Sequence, residues 1–125
     1  MSDAGGMRCT RHSFRAASHR RGISVSFRYY TQHIHAKGLK FGIYEDYGNY
    51  TCAGYPGILG HLEIDAQTLA DWEVDYVKLD GCFSHPKDMD AGYKEFGRLL
   101  RATGRPMIYS CSYPVYLTYA GLERQ

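Results

Sequence analysis

No C-x-x-C pair occurs among the four cysteines of this chain, Cys9, Cys52, Cys82 and Cys111. Zinc ribbons and thioredoxin-like redox chemistry therefore lack their spacing signal. No stretch approaches the roughly 18–20 apolar residues of a membrane-spanning helix, and the start of the chain has neither the apolar core nor the small-residue cleavage site of a secretory signal. There is no G-x-S-x-G elbow for a serine nucleophile, no Walker A loop and no G-x-G-x-x-G, which removes the support for hydrolase-elbow, phosphate-loop and dinucleotide readings. The six histidines are scattered. His33 and His35 stand two apart before an expected strand, a poor geometry for a helical metal site, and no Asp/Glu/His cluster has ligand spacing. Neither a metal nor a cofactor is expected.

Acids are scarce at one end: residues 1–40 hold eight Lys/Arg against Asp3 alone, while residues 41–125 hold seven bases against twelve acids. The net charge of +2 thus hides halves of +7 and −5. A basic arm suggests nucleic acid, but its arginines come with Ser, Gly and His, show no helical period, and carry no zinc-finger or RNP signature. No nucleic-acid partner is expected, and no membrane. The Arg- and Ser-rich stretch 8–28 resembles a mitochondrial transit peptide in composition, and a non-native or wrongly joined N-terminus is the preferred reading. Residues 1–28 are expected to be poorly ordered and residues 29–125 to form one α/β unit, for which an apolar fraction of 44% is suitable.

Along that unit the pattern predicts a short helix over 29–37, stopped by Gly38, and a first strand over 39–44. Gly48, Gly54, Pro56, Gly57 and Gly60 then punctuate a long loop. A helix is predicted over 61–72, with Leu62, Ala66, Leu69 and Ala70 on one face and Glu63, Asp65 and Asp71 pointing elsewhere. The second strand is Tyr76–Asp80. Asp88 is expected to cap the next helix, whose Met89, Tyr93, Phe96 and Leu100 recur at spacings of four, three and four. Gly104 ends it, and a third strand follows over 107–110. The order β-α-β-α-β implies three parallel strands with intervening helices.

Asp80 is the leading candidate for chemistry, because a carboxylate between an apolar strand and a glycine is presented at the carboxyl end of the strand. A loop-capping role fits the local sequence equally well. Lys78 lies two residues earlier and so on the same side of the strand, where a cation would hold Asp80 ionised and donate to substrate hydroxyls. Tyr44 stands at the corresponding exit of the first strand. The acidic pair Glu45-Asp46 follows it; Asp46 is a possible second carboxylate, although acids after a strand usually belong to solvated loops. Asn49-Tyr-Thr51 is a glycosylation sequon.

Five segments in this order, Lys37-Gly-Leu-Lys-Phe-Gly-Ile-Tyr44, Thr51-Cys-Ala-Gly-Tyr-Pro-Gly57, Asp65-Ala-Gln-Thr68, Val77-Lys-Leu-Asp-Gly-Cys82 and Tyr109-Ser-Cys-Ser112, resemble the lysosomal α-galactosidase and α-N-acetylgalactosaminidase family of glycoside hydrolases. The resemblance covers about residues 29–121. It implies part of a (β/α)8 barrel and retaining hydrolysis through a covalent glycosyl-enzyme, with a glycan bearing terminal α-linked N-acetylgalactosamine or galactose as substrate. Asp80 matches the nucleophile, Lys78 and Tyr44 match residues of the sugar pocket, and Cys52 and Cys82 match a disulfide. Asn49 matches a glycosylation site of some members. Where galactosidases of the family tend to carry Glu and Leu, this chain has Ser112 and Val115, and N-acetylgalactosaminidases carry Ser and Ala; the reading leans to the latter. Tyr116 matches a tyrosine of the same pocket, and Tyr113 replaces a usual Trp.

The resemblance also implies a lysosomal or secreted location and, often, a homodimer. An Asp-Asp pair that binds the sugar is expected before residue 29, and the acid/base carboxylate and the partner of Cys111 are expected beyond Gln125. Retaining hydrolysis needs two carboxylates about 5–5.5 Å apart, so residues 1–125 are expected to be inactive alone. The competing reading is a non-catalytic remnant that binds a partner through an open sheet edge.

Overall fold

A computed structural model describes residues 27–122. Its elements are α1 (Phe27–His35), β1 (Gly42–Asp46), α2 (Leu62–Asp71), β2 (Tyr76–Asp80), α3 (Pro86–Ala102), β3 (Ile108–Cys111) and α4 (Tyr113–Tyr119). The three strands pair in parallel in the order β1-β2-β3. Apart from Phe27 and Arg28, which open α1, the basic segment 1–28 lies outside the described residues. None of the described helices is long and apolar enough to cross a membrane.

Alternation divides the sheet into two faces. Ile43, Val77 and Leu79 point to the helices and pack with Leu69 of α2 and Met89, Tyr93, Phe96 and Leu100 of α3, all of them buried. The spacing of four, three and four on α3 is thus its buried stripe. Gly92 lies on the same side, where a Cβ would overlap the Tyr47 ring, so the helix approaches the β1 loop closely only because that position has no side chain. The opposite sheet face carries Tyr44, Tyr76, Lys78 and Ile108, and Ile108 is 68% exposed.

The first strand starts three residues later than the pattern predicts and ends two residues later. Residues 39–41 lie below the ladder, where Asp75 occupies the backbone polar groups of Phe41: its Oδ2 accepts from Phe41 N at 2.8 Å, and its own N–H donates to Phe41 O at 2.9 Å. Pairing then runs from Gly42 opposite Tyr76 to Asp46 opposite Asp80. Two acids assigned by their sequence to a solvated loop are therefore strand residues. Glu45 is 4% and Asp46 0% exposed. Asp65 departs from its expectation in the same way, being 1% exposed on the inner face of α2 rather than turned out to solvent.

Other boundaries shift by one or two residues. α1 is earlier than expected by two, and Gly38 follows it with φ 75° in the left-handed region that glycine tolerates. α3 starts at Pro86, and His85 rather than Asp88 caps it, with Nδ1 accepting from Lys87 N at 3.2 Å. β3 ends one residue later than predicted. Its exit forms α4, a helix the pattern did not indicate, with Pro114 in its first turn.

A cluster of charges ties the amino ends of the strands together. His35 Nε2 lies 2.6 Å from Asp75 Oδ2, Arg105 donates to Asp75 Oδ1 at 3.0 Å, and Arg105 also donates to Val74 O and Glu73 O. Asp75 immediately precedes β2 and Asp80 ends it. The same short strand is pinned at one end and offers a carboxylate at the other.

Candidate active site

At the carboxyl end of β2, Asp80 receives donors from three elements. Tyr116 of α4 donates to Oδ1 at 2.6 Å, and Ser112, at the β3–α4 junction, donates to the same oxygen at 3.1 Å. Tyr44 of β1 donates to Oδ2 at 3.2 Å, and the Gly81 N–H lies 3.0 Å from Oδ1. Lys78 Nζ stands 3.8 Å from Oδ2 and 5.7 Å from the centre of the Tyr44 ring. Strand alternation places it there, since Lys78 and Asp80 share a face.

These donors set the protonation of Asp80. Burial opposes ionisation, but the hydrogen bonds from Tyr116, Gly81, Ser112 and Tyr44 outweigh it, and the carboxyl group lies below its usual range. The phenols shift the other way. Burial and then the Asp80 hydrogen bond push Tyr116 up to about 12, and Tyr44 is raised by burial and by the charges of Asp80 and Asp46. Both tyrosines are therefore protonated donors around a carboxylate that is ionised at neutral and mildly acidic pH. The side chain of Asp80 is 16% exposed, enough for one face to meet a ligand.

Asp46 stands behind this carboxylate. It follows Tyr44 by two residues on the same face of β1, and the Tyr44 hydroxyl lies 3.4 Å from its Oδ2. The Cys82 N–H donates to that oxygen at 3.1 Å. Burial raises its pKa, against the downward pull of the Cys82 amide. Complete burial keeps it from meeting a substrate, so its position supports the site from behind.

Cys52 and Cys82 form a disulfide with Cα atoms 5.2 Å apart. It joins the β1 loop to the residue after Gly81. Asp46, Cys52, Asp80 and Cys82 each direct one donor atom into a group whose members lie within 4.8 Å of one another. In the oxidised state the sulfurs are bonded to each other, which leaves the two carboxylates as the titratable groups. Cys111 is a partly buried free thiol.

The expected residues do not all converge. Tyr44, Lys78, Ser112 and Tyr116 surround Asp80. Val115 stands on α4, 49% exposed, with its N–H bonded to Ser112 O. Asn49 is exposed in the β1 loop. Sequence reasoning missed the Gly81 amide and Tyr93, whose hydroxyl lies 3.4 Å from Ser112 Oγ. The signal for Tyr93 was present only as a core position of α3; its polar tip reaches the site because α3 packs under the strand ends.

The chain is similar to known proteins over most of the described residues. The family described as Alpha galactosidase A matches residues 8–123. The chain is 54% identical over 97 residues to an alpha-N-acetylgalactosaminidase of Gallus gallus, covering 77% of this chain and 23% of that protein. It is 50% identical over 91 residues to alpha-galactosidase A of Homo sapiens, covering 72% and 21%. Among solved structures, alpha-galactosidase from Saccharomyces cerevisiae superposes with a TM-score of 0.64 at 41% identity, over 69% of this chain and 20% of that one. The chain thus spans between a fifth and a quarter of the relatives it matches. Its three parallel strands and their helices are part of a (β/α)8 barrel, and the chain belongs to the alpha-galactosidase and alpha-N-acetylgalactosaminidase family of glycoside hydrolases.

Proposed function

We propose that this chain carries the nucleophile half of a retaining exo-α-glycosidase, with Asp80 attacking the anomeric carbon of a terminal α-N-acetylgalactosamine or α-galactose. The observation that supports this reading is a partly exposed, ionised carboxylate held by Tyr116, Ser112, Gly81 and Tyr44. Attack forms a bond from a carboxylate oxygen to the anomeric carbon and breaks the bond to the leaving oxygen. Three hydroxyls and one amide fix the carboxylate, so little reorientation is needed at attack. Lys78 is placed to donate to sugar hydroxyls beside it.

The reaction also needs a carboxylic acid to protonate the leaving oxygen. Asp46 does not serve, because it is 0% exposed. The acid/base therefore comes from outside the described residues, in line with the fraction of the relatives that the chain spans. The family resemblance, with Ser112 where galactosidases tend to carry Glu and Val115 of intermediate size where they carry Leu, supports N-acetylgalactosamine as the preferred substrate. The family resemblance supports a lysosomal or secreted enzyme acting as a homodimer, and glycosylation at exposed Asn49.

The test is a chimaera in which residues 29–121 replace the matching segment of the Gallus gallus enzyme. Hydrolysis of p-nitrophenyl α-N-acetylgalactosaminide is expected to persist, and Asp80→Asn is expected to lower kcat by more than about a thousandfold. Near-normal turnover by the Asp80→Asn chimaera removes Asp80 as nucleophile.

A further inference from the structure

The hydroxyl of Tyr93 is a buried polar group to which the hydrolytic chemistry assigns no part. The residue is 1% exposed, and its ring packs on Tyr47 and Tyr113, with centroids 5.6 and 5.2 Å away. Its backbone is held as well, since the carbonyl accepts from the Tyr109 hydroxyl at 3.1 Å. The direction of the phenol is therefore set by packing on α3. Its oxygen lies 3.4 Å from Ser112 Oγ and 3.1 Å from the place that a Cβ on Gly81 would take. Ser112 and Gly81 are two of the donors to Asp80 Oδ1, at 3.1 and 3.0 Å.

The number of hydrogens decides which group donates. Ser112 Oγ carries one hydrogen and has two acceptors in reach, Leu79 O at 2.9 Å and Asp80 Oδ1 at 3.1 Å. It has none left for Tyr93. Burial raises the pKa of Tyr93 above the usual phenol value, so this hydroxyl keeps its hydrogen. A buried hydroxyl without a partner is costly, and among the described residues Ser112 Oγ is the group that meets it. Tyr93 is thus the donor of the pair.

We propose that Tyr93 is a positioning residue for the carboxylate: by donating to Ser112 Oγ, it commits the single Ser112 hydrogen to Asp80 and away from the Leu79 carbonyl. A hydroxyl that accepts a hydrogen bond becomes a stronger donor, by about 10–30%. The gain is larger toward an ionised acceptor than toward a neutral carbonyl. Without the Tyr93 hydroxyl, the shorter contact to Leu79 O competes for the hydrogen. Tyr44 and Asp46 of β1, Lys78 of β2 and Tyr116 of α4 also face Asp80. Tyr93 adds a line of bonds from the core of α3 to the same oxygen. The effect on the charge of Asp80 stands by itself, and its consequence for turnover rests on the reading of Asp80 as the nucleophile.

The experiment uses the full chain with 13C in the Asp carboxyl carbons and the Tyr Cζ atoms. Tyr93→Phe keeps the ring and removes the hydroxyl. It is expected to raise the Asp80 midpoint by at least about 0.3 pH unit, and by less than half as much when Ser112 is already Ala, because the path is then gone. A smaller rise, or one that persists by half or more without the Ser112 hydroxyl, overturns the proposal. Circular dichroism reports the fold of each variant. Should Tyr93→Phe not fold, the Cζ resonance of the unaltered Tyr93 decides instead. It is expected to follow the Asp80 titration in the parent chain and to lose at least half of that movement in Ser112→Ala; a resonance that does neither overturns the proposal. In the Gallus gallus chimaera, Tyr93→Phe is expected to move the acid limb of kcat/KM upward with the midpoint. An active chimaera whose acid limb stays in place overturns the link to turnover, whereas an inactive parent chimaera counts against the glycosidase reading and leaves the NMR result to decide the role of Tyr93.

Discussion

Tyr116 donates to Asp80 Oδ1 across 2.6 Å, the shortest of the bonds that hold this carboxylate, and it comes from a helix that the sequence pattern did not indicate. A hydrogen bond to an ionised acceptor is worth about 1.5–3 kcal/mol, which corresponds to roughly one to two pKa units. Tyr116→Phe is expected to move the Asp80 titration upward by about one unit, read from its carboxyl carbon by NMR. An unchanged midpoint would mean that Ser112 and Gly81 alone set its charge.

The bond between Cys52 and Cys82 closes a loop with a sequence separation of 30 residues. On the chain-entropy argument a loop of that size contributes about 3–4 kcal/mol. Cys52→Ser/Cys82→Ser is expected to lower the midpoint of urea unfolding, with a steeper slope because the unfolded chain is no longer crosslinked. A loss below about 1 kcal/mol would show that the reduced unfolded chain is already compact there.

Two buried acids predict how stability depends on pH. Burial, and then the charges of Asp65 and Asp46, raise Glu45 from 4.5 to about 8, and burial raises Asp65 from 3.8 to about 7. Each folded-state pKa exceeds its unfolded value, so native protein keeps protons that the unfolded chain releases. This contribution is fully present below about pH 4 and is lost as pH rises toward about 8. Thermal midpoints are expected to be higher at pH 5 than at pH 8, and Glu45→Gln to flatten the difference. A profile as steep in the variant as in the parent chain would assign it to other groups.

Below that window Asp75 acts with the opposite sign. Burial works against ionisation there, but Phe41 N–H, His35 and Lys40 bring its pKa below the usual carboxylate value of 3.8. Its stabilisation is present above that value and is lost as pH falls through the folded pKa. Asp75→Asn is expected to shift the acid-unfolding midpoint upward and to weaken the alignment of β1 with β2, visible as faster amide exchange at Phe41.

Gly92 tests the packing of α3. A methyl group there overlaps the Tyr47 ring, and forcing the ring aside costs about 1–3 kcal/mol. Gly92→Ala is expected to destabilise the chain by that amount in urea, although alanine favours helix. A stabilised variant would show that Tyr47 turns away freely.

The order of strands and helices was legible because apolar residues recur with the period of each element, as in Met89, Tyr93, Phe96 and Leu100. Asp80 and Lys78 were legible for the same reason: a period of two puts them on one face at the end of an apolar run. The resemblance in motifs located the pairing of Cys52 with Cys82. What sequence alone could not decide was register and depth. Glu45 and Asp46 read as solvated loop residues until Asp75 drew the chain below the ladder and moved β1 toward its carboxyl end. Polarity is a local property of a residue, whereas burial depends on which segments lie over it. The convergence of Asp46, Cys52, Asp80 and Cys82 from two strand ends and their loops is likewise a tertiary fact, since no spacing along the chain encodes the distances between them.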